Sequence, residues 1–261
     1  MAPYFTEQDY RAVAESQSRD TSGNADLQRA YDKLLDLHNA VYPRIRNHNL
    51  DLHPRWQKTS IISRESAACL VQNPAMVLPY FRSREQAQIV ERLMGCEPMA
   101  AGVDTFRHPV IELRLTPSHF AVELVVSPYA WWDQQNLVGK LGLAQHRAAF
   151  YQLLAEVGRD CYFGFWQGTD LDRMCLNSTE LAHCRIVDAW METFCDGQDW
   201  FRIGKWFDPT SPALDEDTVA AEVFNAVRVL NRLYSFLVWT SNNNFQSFYD
   251  RNRRAVSRLY A

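Results

Sequence analysis

The sequence predicts an α+β fold: an antiparallel or mixed sheet of about four to five strands covered by several helices, one of them long and in the C-terminal half. Three observations lead there. The clearest strands, Val110–Leu115 and Phe120–Val126, are joined by only Thr116-Pro117-Ser118-His119, so they pair as an antiparallel hairpin. Strand-like and helix-like stretches do not alternate regularly, which argues against a parallel, doubly wound sheet. Residues 216–240 place Val223, Phe224, Val227, Leu230, Leu233, Tyr234 and Leu237 at helical spacing, opposite a polar side of Glu222, Asn225, Arg228, Asn231, Arg232 and Ser235. The whole chain, 1–261, reads as one globular domain.

Along the chain, Thr6 is placed to cap a first helix with an acidic first turn. Residues 17–25 form a polar, mobile loop, and Asp26 caps a helix buried through Leu27, Ala30, Tyr31, Leu34, Leu37, Val41 and Ile45. Pro43 kinks that helix or ends it. Residues 59–63 resemble a short strand. Ser83 and Gln86 make a capping box for a helix through Ile89, Val90, Leu93 and Met94 that stops at Gly95, and a loop over 97–107 leads to the hairpin. Beyond the hairpin Pro128 breaks the strand, Asp133 stands as an N-cap, and 143–157 form a helix closed by Gly158.

Residues 162–167 alternate as a strand, in which Gly164 leaves space for a neighbouring backbone or, less commonly, a ligand. A helix over 178–194 and a strand over 199–208, with Gly204 at its middle, precede the acidic start of the long helix at Asp215, Glu216 and Asp217. Residues 242–261 become helical and basic.

The hairpin is the most informative stretch. Pro117 suits the second position of a type I turn, and centring the hairpin there pairs Leu113 with Val122 and Ile111 with Leu124. The same register sets Glu112 opposite Glu123, an unfavourable like-charge pair, with Arg114 on the diagonal and within reach of both. The favoured expectation is a solvated strand face with Arg114 bridging the glutamates. The alternative is a pocket in which proximity raises one carboxyl pKa. Glu112, Glu123 and Arg114 are then the candidate catalytic residues, with His108 or His119 nearby.

Composition narrows the function classes. Hydrophobic residues are 47% and the net charge is −4, so a sizeable core is affordable while nothing pulls the chain globally towards nucleic acid or anionic membrane. The N-terminus lacks a basic segment followed by an apolar run, and the irregularly spaced Cys69, Cys96, Cys161, Cys175, Cys184 and Cys195 contain no CxxC. A reduced, cytoplasmic protein is the natural expectation. His48, Asp51 and His53 lack a zinc spacing, as do His183, Cys184, Cys175 and Cys195, and no metal or cofactor is expected. Gly139-Lys140-Leu141-Gly142 lacks the P-loop spacing. Arg251, Arg254 and Arg258 share a helix face with Arg253 nearby, a solvated face in the favoured reading and a weak nucleic-acid contact in the other.

No GxSxG, HExxH, Walker A or GxGxxG motif is present. The favoured function is therefore a binding or accessory protein for a small-molecule or protein partner, offering an aromatic groove at Trp131, Trp132 and Trp166. The alternative is a hydrolase or metal-assisted enzyme built on the glutamate pair.

Overall fold

A computed structural model describes residues 2–16, 25–55, 60–70, 74–95 and 104–246. Helices α1 (Glu7–Glu15) and α2 (Ala25–Asn47) precede the edge strand β1 (His53–Pro54), then β2 (Met76–Phe81) and α3 (Arg84–Leu93). The hairpin strands β3 (Val110–Leu115) and β4 (Phe120–Val126) lead into α4 (Trp131–Leu141) and α5 (Ala144–Glu156). Next come β5 (Cys161–Gly164), β6 (Cys175–Asn177), α6 (Ser178–Leu181), α7 (Cys184–Met191), β7 (Phe201–Phe207) and α8 (Val219–Leu237).

The fold class is mixed α and β, as the sequence predicts, but the sheet is larger. It has seven strands in the order β1-β2-β3-β4-β7-β5-β6, every neighbouring pair antiparallel. Strands β1 and β6 are too short to show a period. β2 escapes because it is buried on both faces, so it does not alternate, and because Pro79 interrupts it. The proline is tolerated for a geometric reason. Val77 exchanges hydrogen bonds with Ser63 on the outer edge of β2. Two residues on, the missing N–H of Pro79 faces the same outer edge, away from β3. The expected strand at 59–63 is reduced to that single bridge at Ser63, with 56–59 outside the described residues.

The hairpin register is the one its turn dictates: Ile111 opposes Leu124, Leu113 opposes Val122, and Glu112 opposes Glu123. One face of the central strands then presents Ile111, Leu113, Leu115, Phe120, Val122 and Leu124 to a continuous apolar core shared with α2 and α8. The other presents Glu112, Arg114, Ala121 and Glu123, and on β7 Arg202, Gly204 and Trp206. Gly204 sits between Glu123 on β4 and Tyr162 on β5, and a Cβ there would lie 2.5 Å from the Glu123 Cα. The two strands approach closely because that atom is missing.

Helix boundaries differ from the sequence reading where tertiary contacts decide them. α2 runs through Pro43, because Pro43 and Asn39, whose carbonyl loses its partner, both face water. The helix ends instead at Asn47, two residues before Asn49, whose φ of 53° lets Leu50 N–H reach back to the Ile45 carbonyl. The helix expected over 178–194 is split into α6 and α7. Leu181 and Val187 are both buried, yet on one straight helix they point about 120° apart. The break at Ala182–His183 turns both inward. The polar loop expected at 17–25 lies outside the described residues, apart from Ala25, which opens α2. No described helix is long and apolar enough to cross a membrane.

α4 and α8 are locked end to side. Asp133, expected as an N-cap, is instead buried one residue beyond two helical tryptophans, where it accepts from Arg82 and from Trp239 N–H at 2.6 Å. Asn136 donates to the Leu237 carbonyl (3.0 Å), and the Lys140 ammonium donates to the Phe236 carbonyl and to Asn243 Oδ1. These groups satisfy carbonyls that the last turn of α8 leaves unpaired, and the cation sits at the negative end of the helix dipole. Gly139 allows the Phe245 ring to lie against α4, where a Cβ would stand 2.5 Å from it.

At the N-terminus, the fully buried Asp9 ties α1 to α2. It accepts from Thr6 N–H (2.7 Å), Lys33 Nζ (2.7 Å) and Arg29 Nε (3.1 Å). Burial alone would raise its pKa, but Lys33, Thr6 and Arg29 reverse this and hold it below the ordinary value of 3.8. A depressed carboxylate contributes stability that is complete above the unfolded pKa and is lost as pH falls through the folded one. Asp9→Asn is therefore expected to cost about 1–2 kcal/mol at neutral pH and to flatten the loss of stability below pH 4, measured by urea denaturation across that range; an unchanged acid limb would exclude this role.

Candidate functional site

The sequence-predicted residues Glu112, Arg114 and Glu123 meet as the register requires, but not on a solvated face. All three are at most 1% exposed, which corrects the favoured expectation. The cover comes from irregular chain distant in sequence. Ser66 Oγ and Ala67 N–H each donate to Glu112 at 2.6 Å. Ala67, Ala68, Phe81, Val110, Val125 and Trp200 form a second apolar cluster beside it, in which Trp200 Nε1 donates to the Ala67 carbonyl at 2.9 Å.

The residue that sequence reasoning missed is Arg202, also fully buried. Its Nε and Nη2 donate to Glu123 at 2.9 and 2.7 Å, and its Nη1 donates to the Gly168 carbonyl at 2.6 Å. Arg114 donates to Glu112 at 3.1 Å and to Glu123 at 2.7 Å. Two carboxylates and two guanidiniums thus alternate in one chain of ion pairs with no net formal charge. The available signal was arithmetic: two facing glutamates and one arginine leave an uncompensated charge, and Arg202 lies in a strand with Gly204 at its middle.

Two tryptophans roof the network. The Arg202 guanidinium lies 4.3 Å from the centre of the Trp166 ring and 5.7 Å from that of Trp206; Arg114 lies 5.1 Å from Trp206. Gly164 makes room for this roof, since a Cβ there would meet the Trp166 ring at 2.9 Å and the Met174 carbonyl at 3.0 Å. The space beside Gly164 therefore holds the chain's own tryptophan.

Electrostatics favour the ionised form of Glu123. Burial would raise the Glu123 pKa, but Arg202 and Arg114 outweigh it and hold the carboxyl below its usual range. His119 packs on Trp206 at 4.4 Å between centroids, its ring tilted by 35°, and burial and the Arg114 charge push its pKa down to about 4. It is neutral near pH 7, with Nδ1 2.9 Å from the hydroxyls of Thr116 and Ser118. His108 is buried elsewhere, 3.6 Å from Glu91. Beside Glu112 the space is only about 10 Å³, the size of one water. The pair is thus part of a charge-balanced cross-link between β3, β4 and β7; Glu123 lacks the raised pKa, and among the described residues the space beside Glu112 lacks the room, that acid/base work on a substrate requires.

The expected aromatic groove is not one surface. Trp131 and Trp132 pack edge to face at 4.8 Å, and Trp132 meets Trp239 at the C-terminal end of α8. Trp166 covers Arg202 on the opposite side of the sheet from α8. His53 pairs with Asp51 (3.0 Å), while His48 turns to the Arg44 carbonyl and the Phe224 ring. Among the described residues no three His, Cys, Asp or Glu side chains converge as a metal site. The four C-terminal arginines, Arg251, Arg253, Arg254 and Arg258, lie outside the described residues.

An aromatic cleft does occur elsewhere, between α5 and α7 at the end of α4. It holds about 260 Å³ and is walled by Phe150, Met191 and Phe194, with Arg147, Tyr151 and Asp188 on its polar side. The Tyr151 hydroxyl donates to Asp188. Phe150 packs on Phe201 and Phe236, and Phe194 on Phe165 and Phe201, so the apolar wall is anchored in the core.

The chain matches no protein-family model and no curated protein sequence. The class its fold and sites define is thus an antiparallel α+β protein with a buried ion network at its centre and an aromatic cleft among its helices.

Removing one partner from the network leaves buried charge unbalanced. Glu123→Gln is expected to destabilise the protein by about 3–5 kcal/mol in chemical denaturation, and Glu123→Leu combined with Arg202→Met to recover part of that loss. A Glu123→Gln protein within experimental error of the parent would refute the cross-link.

Proposed function

We propose that this is a binding protein whose ligand is a small amphipathic molecule seated in the α5–α7 cleft. The supporting observation is the composition of that cleft: core-anchored aromatic walls facing a short row of hydrogen-bonding groups, Arg147, Tyr151 and Asp188. Apolar walls supply affinity, and a few fixed polar groups set orientation. Its volume of about 260 Å³ suits a ligand of one aromatic ring system, single or fused, with a polar substituent rather than a drug-sized molecule. The aromatic seat expected from the sequence is thereby moved from Trp131, Trp132 and Trp166 to Phe150 and Phe194. The glutamate pair does not support the hydrolytic alternative, because its carboxylates are spoken for by arginines.

The test is a titration with two probes, indole-3-acetate and tryptamine, followed by NMR chemical shifts. At least one is expected to give saturable shifts concentrated at Arg147–Tyr151 and Asp188–Phe194. Phe194→Ala is expected to weaken binding at least tenfold, about the worth of one buried ring face. No saturable shift with either probe, or binding indifferent to Phe194→Ala, would reject the proposal.

A further inference from the structure

We infer that the ligand of the α5–α7 cleft is an aromatic amino acid whose ammonium and carboxylate are both free, an inference that rests on the binding role proposed above. The cleft is lined by both signs of charge: Arg147 on α5, with Asp188 on α7 and Glu192 at its C-terminal end. Arg147 and Tyr151 are four residues apart, and so are Asp188 and Glu192. Each pair therefore shares a helix face, with its members about 5–6 Å apart.

The Tyr151 hydroxyl donates to Asp188 Oδ1 and ties the two rows together. Burial and the Asp188 carboxylate raise the Tyr151 pKa, so the hydroxyl stays a donor near neutral pH. One Asp188 oxygen is thereby taken. The other, Oδ2, accepts no hydrogen bond among the described residues. Arg147 forms no ion pair with Asp188 or Glu192, although all three line one space, and Glu192 pairs with no other cation among the described residues. The cleft thus holds opposite charges apart instead of closing on itself.

A ligand seated on the aromatic walls displaces water from these groups, and a charge that loses water without gaining a partner is costly. An aromatic acid answers Arg147 but sets its carboxylate near Asp188 and Glu192. An aromatic amine answers the carboxylates and leaves Arg147 facing a like charge. A neutral ring answers none of them. An amino acid carries both charges on one carbon, with the ring a single methylene away. Its carboxylate matches the Arg147 fork, its ammonium matches Asp188 Oδ2 and Glu192, and its ring lies against Phe150, Met191 and Phe194.

The probe is L-tryptophan, compared with indole-3-acetate, which lacks the ammonium, and tryptamine, which lacks the carboxylate, in NMR titrations of the full chain near neutral pH. L-Tryptophan is expected to bind at least threefold more tightly than either, roughly the worth of one exposed ion pair, with shifts at Arg147–Tyr151 and Asp188–Phe194. Arg147→Gln is expected to erase its advantage over tryptamine, and Glu192→Gln to reduce its advantage over indole-3-acetate. Both side chains are exposed, so both thermal midpoints are expected to match the parent. An advantage over tryptamine untouched by Arg147→Gln would overturn the inference. Binding of indole-3-acetate or tryptamine at the cleft with no gain for tryptophan would also overturn it, while leaving the cleft a binding site. No shift from any of the three would remove both.

Discussion

The ion pairs joining Glu112, Arg114, Glu123 and Arg202 constrain the rest of the structure. Two glutamates directly opposite on adjacent strands repel, and taking them out of water adds several kcal/mol of desolvation per ion. Such a face is stable only when each oxygen has a donor and the total charge cancels. Arg114 supplies one cation from β3, and Arg202 supplies the other from β7, 79 residues away from Glu123 in sequence. The requirement reaches outward from there. The Arg202 guanidinium needs acceptors on its free side, which the Gly168 and Trp166 carbonyls provide. Glu112 needs donors on its free side, which the turn at Ser66 and Ala67 provides. The loops that cover this face are held by the charges they cover.

The glycines are part of the same solution. Gly204 lets β7 approach Glu123, and Gly164 lets Trp166 fold flat over Arg202. A larger residue at either position would displace a charged group from its partner. The interaction is thus polar in origin but satisfied by close packing, which explains how a sheet face lined with arginine and glutamate comes to be as dry as the opposite, aliphatic one.

The helical side is organised by another polar solution. The carbonyls at the end of α8 are met by Asn136 and Lys140, and Asp133 joins that corner to Arg82. These contacts make α4 a rigid support, and its last residues, Val138 and Leu141, help line the cleft formed with α5 and α7. This cleft is not built around the central ion network. The open space lies at the margins, where helices and turns meet, and the centre is given to the ion network.

The sequence by itself determined what depends on near neighbours. Alternation and the turn at Pro117 specify the hairpin register, so the meeting of Glu112, Glu123 and Arg114 was legible residue by residue. The helical period of α2 and α8 named most of their buried positions, but not His38 or Asn231, polar residues that the core takes in, and it placed Tyr31 deeper than it lies. What only the tertiary structure decided depends on residues far apart in the chain. Whether the charged face is wet or dry was settled by Ser66, Trp166 and Arg202, none of which marks itself as a partner in its own segment. β2 was hidden because burial on both faces erases the alternation that reveals a strand, and the ends of α2 and α6 because water at Pro43 and the core at Val187 overrode local signals. The cleft, too, is made by side chains from several elements converging. A local pattern records what a segment prefers; solvent exposure and convergence are properties of the assembled whole.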